Sequence, residues 1–276
     1  MRIIADTATL LSPAEGASLG IQVVPVCVLI NDQSYKDYSE ITTSEFLRMV
    51  AEGGIPKSSQ PSLGDVLDVL NGEDKEIIFI TVGDGLSGAY QTAMAARSCI
   101  EDNGSIHIVN SKTLAGAMRH LAKKAAMLKA QGMSAGQILA DLEEGIESSV
   151  SFVIPEDFDF LKRSGRLTPI AAKIGGALRL LPVLTQTKDK TRIAPVSVKR
   201  TWRTAIETIM QRLESHEIGE GWLISVCHAG TPDKAEGVRQ KLLDRFPDCE
   251  TEVLELSPAL TTHGGPGCIV VQAIKK

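Results

Sequence analysis

The group best placed to do chemistry in this sequence is a serine inside a glycine-rich turn. Gly83-Asp84-Gly85-Leu86-Ser87-Gly88 follows an apolar run and precedes a helical segment. A strand-to-helix turn of this composition exposes backbone N–H groups and a hydroxyl at a helix N-terminus, where an anion is stabilised. The run also satisfies GxGxxG, the phosphate turn of dinucleotide-binding folds. Such a site needs an acidic residue about 20 positions on, at the end of the next strand. Here that strand ends at Asn110-Ser111, and the turn follows the third strand of the chain rather than the first. The same residues can be read as a nucleophile elbow, with Gly85 two before Ser87 and Ala89 two after it. His263 would then be the base and Asp233 or Asp159 its orienter.

Other candidates stand in turns as well. Ser58-Ser59-Gln60-Pro61-Ser62 is a second hydroxyl-rich loop, with Ser62 the expected N-cap of a helix beginning at Leu63. Two serine loops, each ahead of a helix in one α/β domain, could converge at one sheet edge, where ligands sit in such folds. Gly165 fits a helix C-cap after Phe158 to Leu161, which leaves Arg166 between two turns as a candidate anion or partner contact. Thr262-His263-Gly264-Gly265-Pro266-Gly267 reads as a rigid turn, in which a lone histidine is ordinarily solvated. Cys227-His228 looks like a catalytic pair, but strand neighbours point to opposite faces.

The elements that must position these groups follow the α/β pattern. Apolar runs at 2–6, 21–30, 76–82 and 106–110 read as strands. Residues 42–51, 88–102, 113–131 and 134–146 read as helices, the first opened by a Thr42/Glu45 capping box and the last by a Ser134 cap. Beyond about residue 150, strands at 150–154, 178–186, 191–198, 222–228, 250–257 and 267–274 come with fewer helices. Thr187-Lys188-Asp189-Lys190 joins two of them as an antiparallel hairpin. A parallel first domain and a mixed α/β second one are expected.

Composition narrows the function classes. Hydrophobic residues are 43% of the 276 and aromatics 4%, so the core is aliphatic and offers no stacking platform for single-stranded nucleic acid. A net charge of −5 without a basic stripe gives no footprint for a phosphate backbone. Cys27, Cys99, Cys227, Cys249 and Cys268 are scattered, odd in number and without CxxC spacing. They fit a reducing compartment better than a disulfide framework. No signal peptide or bilayer-length apolar run is read, and a cytoplasmic location is expected.

In order along the chain, several segments resemble the DegV family, which includes the fatty-acid-binding subunits of bacterial fatty acid kinases. Ala5-Asp6-Thr7 is similar to the family's TDS and Val24-Pro25-Val26 to its VPL strand. Tyr35-Lys36-Asp37 matches Y-x-D, and Ser59-Gln60-Pro61-Ser62 is SQPS. Residues 86–93 resemble LSGTYQSA, and Asn110-Ser111 stands in place of a DS. Residues 161–167 resemble L-x-x-G-G-R-I and residues 263–267 H-x-G-P-G. Departures are Gly83-Asp84 where the family has SS, Leu181-Pro182 where it has KP, and Ser58 where Thr is common.

The resemblance implies an α/β fold of two domains. Residues 1–150 would form an N-terminal Rossmann-like parallel sheet with helices that handles the lipid head group. Residues 151–276 would form a C-terminal mixed α/β sandwich. It implies a long-chain fatty acid as ligand, its tail in an apolar tunnel and its carboxylate held by Ser58, Ser59, Ser87 and the Gly88 amide, with Arg166 and His263 near the head group. It further implies a carrier that is not itself an enzyme and uses no metal or cofactor. A separate ATP-dependent fatty acid kinase subunit would make the acyl phosphate for phospholipid synthesis, with transient membrane contact allowed and no nucleic acid bound. The alternative is a serine hydrolase of acyl substrates using Ser87 and His263.

Overall fold

A computed structural model of the chain describes residues 1–72, 76–173 and 180–276. The described residues fall into two compact units, Met1–Glu147 with Ser257–Ala259, and Ser148–Leu256 with Leu260–Lys276.

The first unit holds β1 (Arg2–Asp6), α1 (Pro13–Ser18), β2 (Ile21–Val24), β3 (Cys27–Ile30), β4 (Gln33–Lys36), α2 (Thr43–Ala51), β5 (Lys57–Ser59), α3 (Leu63–Leu70), β6 (Ile77–Thr81), α4 (Ala89–Ser98), β7 (Ile106–Asn110), α5 (Ala115–Ala130) and α6 (Ala135–Ser148). A parallel sheet runs in the order β2-β1-β6-β7. Its central strands, β1 and β6, carry the apolar runs Ile3 to Ala5 and Ile77 to Ile80 and are buried almost throughout, as strands covered on both faces are. Chain direction across the sheet reverses between β1 and β6, so the loops after these two strands part at a switch point, the usual ligand position in open α/β sheets.

The expected strand over residues 21–30 is two strands. Pro25 has no N–H to donate, and the chain leaves the parallel sheet there. It then enters a second, antiparallel sheet ordered β4-β3-β5. Asn31 and Asp32, both left-handed at φ 52° and 60°, close the β3–β4 hairpin as a primed turn requires. Strand β5, which carries Ser58 and Ser59, was not legible as a strand. The helix expected over 88–102 stops at Ser98. The Thr42/Glu45 capping box and the Ser62 cap form as read.

The second unit holds β8 (Val150–Ile154), α7 (Phe158–Ser164), α8 (Pro169–Ala172), β9 (Leu181–Gln186), β10 (Ile193–Lys199), α9 (Trp202–Glu214), β11 (Trp222–His228), α10 (Pro232–Arg245), β12 (Glu250–Glu255), α11 (Pro258–Gly264) and β13 (Ile269–Lys275), the first residues of α11 counting with the first unit. One mixed sheet runs β10-β9-β8-β13-β11-β12. The hairpin around residues 187–190 is antiparallel as expected; residues 178–179 of its first expected strand lie outside the described residues. Ile206, Ile209 and Leu213 of α9 and Val238 and Leu242 of α10 pack with Ile224, Val226 and Val271 of the sheet. Among the described residues, no helix is long and apolar enough to cross a membrane, and no group of three or more His, Cys, Asp or Glu side chains could hold a metal ion.

Two fully buried carboxylates brace the first unit. Asp6, at the end of β1, accepts the N–H of Ala8 at 2.9 Å and of Val82 at 2.8 Å. It thereby joins the loop after β1 to the loop after β6. Asp37 accepts the N–H of Ala259 at 3.3 Å, beside the hydroxyls of Thr7 and Ser257. Burial pushes Asp6 up to about 6 and Asp37 up to about 7, against their N–H and hydroxyl donors, and the neighbouring Asp6 charge adds to the rise at Asp37. Between pH 3.8 and about 7 the folded chain therefore keeps a proton on Asp37 that the unfolded chain gives up, so this group's contribution to stability falls as pH rises. The limit is about 1.4 kcal/mol for each pH unit crossed. Asp37→Asn removes the titration. Wild-type melting temperature should drop relative to D37N as pH is raised through that window and hold a constant offset above it; parallel curves throughout would refute the assignment.

Candidate functional site

The turn carrying Ser87 sits at the switch point, and its amides can be followed one by one. Gly83 N–H donates to Thr113 O at 2.8 Å. Asp84 N–H donates to Asn110 Oδ1 at 3.1 Å, and Gly85 N–H to Asp84 Oδ1 at 3.1 Å. Leu86 and Ser87 N–H both donate to Gly83 O, at 3.1 and 3.3 Å. Ala89 N–H donates to Ser87 Oγ at 3.3 Å. The Gly88 N–H is the amide of this run that finds no acceptor among the described residues, and the Ser87 hydroxyl proton is likewise unspent. Gly88 is also the N-cap of α4 and supplies no side-chain cap, so the positive end of the helix lies open at this point.

This accounting separates the readings left open by the sequence. A pyrophosphate cradle needs several outward amides in a row, and this turn turns them inward. One amide, one hydroxyl and a helix terminus suit a single oxyanion. Asp84 does not oppose it across the turn. Its carboxylate is held by Gly85 N–H and by Gln91 Nε2 at 2.9 Å. The two departures at Asp84 and Asn110 are thus in direct hydrogen-bond contact.

Ser58 and Ser59 lie on β5, opposite Val28 and Cys27 respectively. Ser58 is half-buried and Ser59 exposed, and strand alternation sends the two hydroxyls to opposite faces. Sequence reasoning missed Gln60. A Cβ on Gly88 would come within 2.9 Å of the Gln60 side-chain amide, so Gln60 packs against the Gly88 Cα beside the open amide. Gln60 precedes Pro61 and is held extended, which puts its side chain on the same side as that of Ser58, two residues back. The proline was the available signal.

The second unit brings Arg166 and His263 together. Gly165, left-handed at φ 73°, ends α7 as expected. Arg166 is then pinned through its backbone, donating to Ser164 Oγ at 3.2 Å and accepting from Ile193 N–H at 2.9 Å, and its guanidinium also bonds Ser164 O. His263 corrects the expectation of a solvated loop residue. Residues 262–264 continue α11, and burial, with the Arg166 charge beside it, pushes the imidazole down to about 3. It is neutral at any ordinary pH. Gly265, left-handed at φ 77°, accommodates the Phe160 ring, where a Cβ would meet ring atoms at 2.8 Å. A base so reluctant to take a proton serves a hydrolase poorly. Asp159 and Asp233, its suggested orienters, are exposed residues in the first turns of α7 and α10. Cys227 and His228 pair with Val270 and Ile269 on β13, and the His228 ring accepts from Thr231 N–H at 3.3 Å.

Comparison with known proteins places the whole molecule. The model of the DegV family, described as a family of uncharacterised proteins, matches residues 1–276. The chain belongs to the DegV family. A DegV domain-containing protein of Clostridium acetobutylicum is 28% identical over 277 residues, covering 98% of this chain and 95% of its own. A DegV protein from Thermus thermophilus, solved for its fatty acid binding, superposes with TM-score 0.90 at 27% identity over 100% of both chains. DegV from Bacillus subtilis, a fatty acid binding protein, gives TM-score 0.86 at 25% identity over 100% of this chain and 99% of its own. The parallel four-stranded sheet with helices and the mixed sheet are those of DegV structures.

Two glycines of the DegV turn differ in what surrounds them. A Cβ at Gly83 would press on backbone, Lys112 C at 3.0 Å and Thr113 N at 3.1 Å, whereas one at Gly88 would press on the movable end of Gln60. Gly83→Ala should therefore cost about 1–3 kcal/mol in urea unfolding and Gly88→Ala well under that. Equal costs would show that the β7–α5 loop does not hold the turn.

Proposed function

We propose that this DegV protein is a carrier for a long-chain fatty acid, with the carboxylate received by the Gly88 N–H and the Ser87 hydroxyl. The observation that carries the reading is the pattern of spent and unspent donors in the turn at residues 83–89. Fatty acid binding by the Thermus thermophilus and Bacillus subtilis proteins supports it. Of the two β5 serines, Ser58 is the better placed to add a third donor, because it shares a side with Gln60. Ser59 contributes less. Head-group recognition is assigned chiefly to residues 1–150.

The energetics suit a carrier. Each buried CH₂ is worth about 0.8 kcal/mol, so a tail of roughly 15 methylenes supplies on the order of 12 kcal/mol before ordering costs. A buried carboxylate is costly unless hydrogen-bonded, and neutral donors at a helix N-terminus satisfy it without a tight ion pair. An oxyanion held this way keeps its nucleophilicity. We therefore infer that the carrier presents the carboxylate to a separate ATP-dependent kinase, which makes the acyl phosphate. The scattered thiols fit a cytoplasmic setting.

Native mass spectrometry of the purified protein should show bound fatty acid, or uptake of added oleate after delipidation. Ser87→Ala should weaken oleate binding by about tenfold or more, the scale of a hydrogen bond to a charged group. Ser58→Ala should weaken it more than Ser59→Ala. An apo mass that takes up no oleate would overturn the reading.

A further inference from the structure

Asn110 ends β7 and reaches across to the neighbouring strand's turn. Its Oδ1 accepts two amides, Asp84 N–H at 3.1 Å and Lys112 N–H at 3.0 Å. The first belongs to the turn before α4 and the second to the loop before α5, so one carbonyl oxygen fixes both loops at the sheet's C-terminal edge. Gly83 N–H to Thr113 O and Ser111 N–H to Thr81 O complete the seam. A carboxylate would accept these amides at least as well as an amide oxygen does. Hydrogen bonding alone therefore does not explain asparagine here.

Charge does. The Asp84 carboxyl lies about 3–4 Å from its own amide nitrogen by covalent geometry, and that nitrogen is the one Asn110 holds. A second carboxylate at position 110 would come within about 7 Å of the first. Lys112, in the loop before α5, has its ammonium engaged by Glu147; α4 contributes the neutral Gln91, already bonded to Asp84.

We propose that Asn110 is a positioning residue for the Ser87–Gly88 turn, and that it must be uncharged because the Asp84 carboxylate already occupies that turn. One acid at the seam is tolerated, since Gln91 and Gly85 hold it. Two would repel each other and drive the turn open beneath the incoming carboxylate. The functional part of this proposal rests on the fatty-acid reading; the electrostatic part does not.

The test is a cycle of wild type, N110D, D84N and N110D/D84N, with N110A and N110A/D84N as controls. Asn110→Asp should weaken oleate binding by about fivefold through like-charge repulsion, and adding Asp84→Asn should restore it to the level of D84N alone. Asn110→Ala, which removes the acceptor, should weaken binding without rescue by D84N. Wild-type affinity in N110D, or a defect that D84N leaves in place, would overturn the proposal. Thermal unfolding of the same proteins without ligand reads the coupling independently. N110D should lower the melting temperature only where Asp84 is present, and an additive cycle would overturn the proposal. If wild type takes up no oleate, the fatty-acid reading fails while the melting cycle still decides the role of Asn110.

Discussion

A turn can offer an anion only the donors it has not already used, and in this protein nearly all are used. From Gly83 to Ala89, each amide but that of Gly88 is satisfied by the chain itself. This rigidifies the turn, because every internal bond fixes a peptide plane at a site where the backbone would otherwise be mobile. It also leaves a single backbone donor, at the N-terminus of α4, for the anion proposed to bind there. A glycine-rich loop is usually read as a generous phosphate cradle. Here it is closed on itself.

The supports of the turn are polar, and Asp6 and Thr113 among them are fully buried. Asp6 reaches from β1 to Val82, Asn110 from β7 to Asp84, and Thr113 O to Gly83. Each tie joins loops that follow different strands, so the site belongs to the sheet as a whole rather than to one loop. Asp37 extends the same logic to Ser257–Ala259, a segment from far along the chain that counts with the first unit. Burying two carboxylates costs stability near neutral pH. What they give in return is a fixed geometry at the ends of β1 and β6.

Much of this was legible in the sequence. Short segments rich in Ile and Val announced β1, β6 and β7, cap residues placed the starts of α2 and α3, and Gly165 marked the end of α7. The misreadings have physical causes. Residues 21–30 are apolar but for Gln22, so periodicity could not show that Pro25 divides them between two sheets. Residues 57–59 carry no apolar residue and form β5 through pairing with β3, a tertiary effect invisible to local propensity. His263 sits before two glycines and a proline, which read as a turn; the glycines in fact admit Phe160 and the neighbouring Cys268 against the end of a helix. Gln60, Asn110 and Asp6 were visible as motif letters, but their roles depend on which loops meet at one sheet edge, and topology decides that.

The claim that one amide remains open for the ligand can be tested at that amide. In ¹H–¹⁵N spectra of isotopically labelled protein titrated with oleate, the Gly88 amide proton should move strongly downfield as it enters a charge-assisted hydrogen bond. The amides of Gly83 to Ser87 should stay close to their starting positions and remain slow to exchange. A Gly88 resonance that does not move, or a shift shared across residues 83–87, would contradict the account.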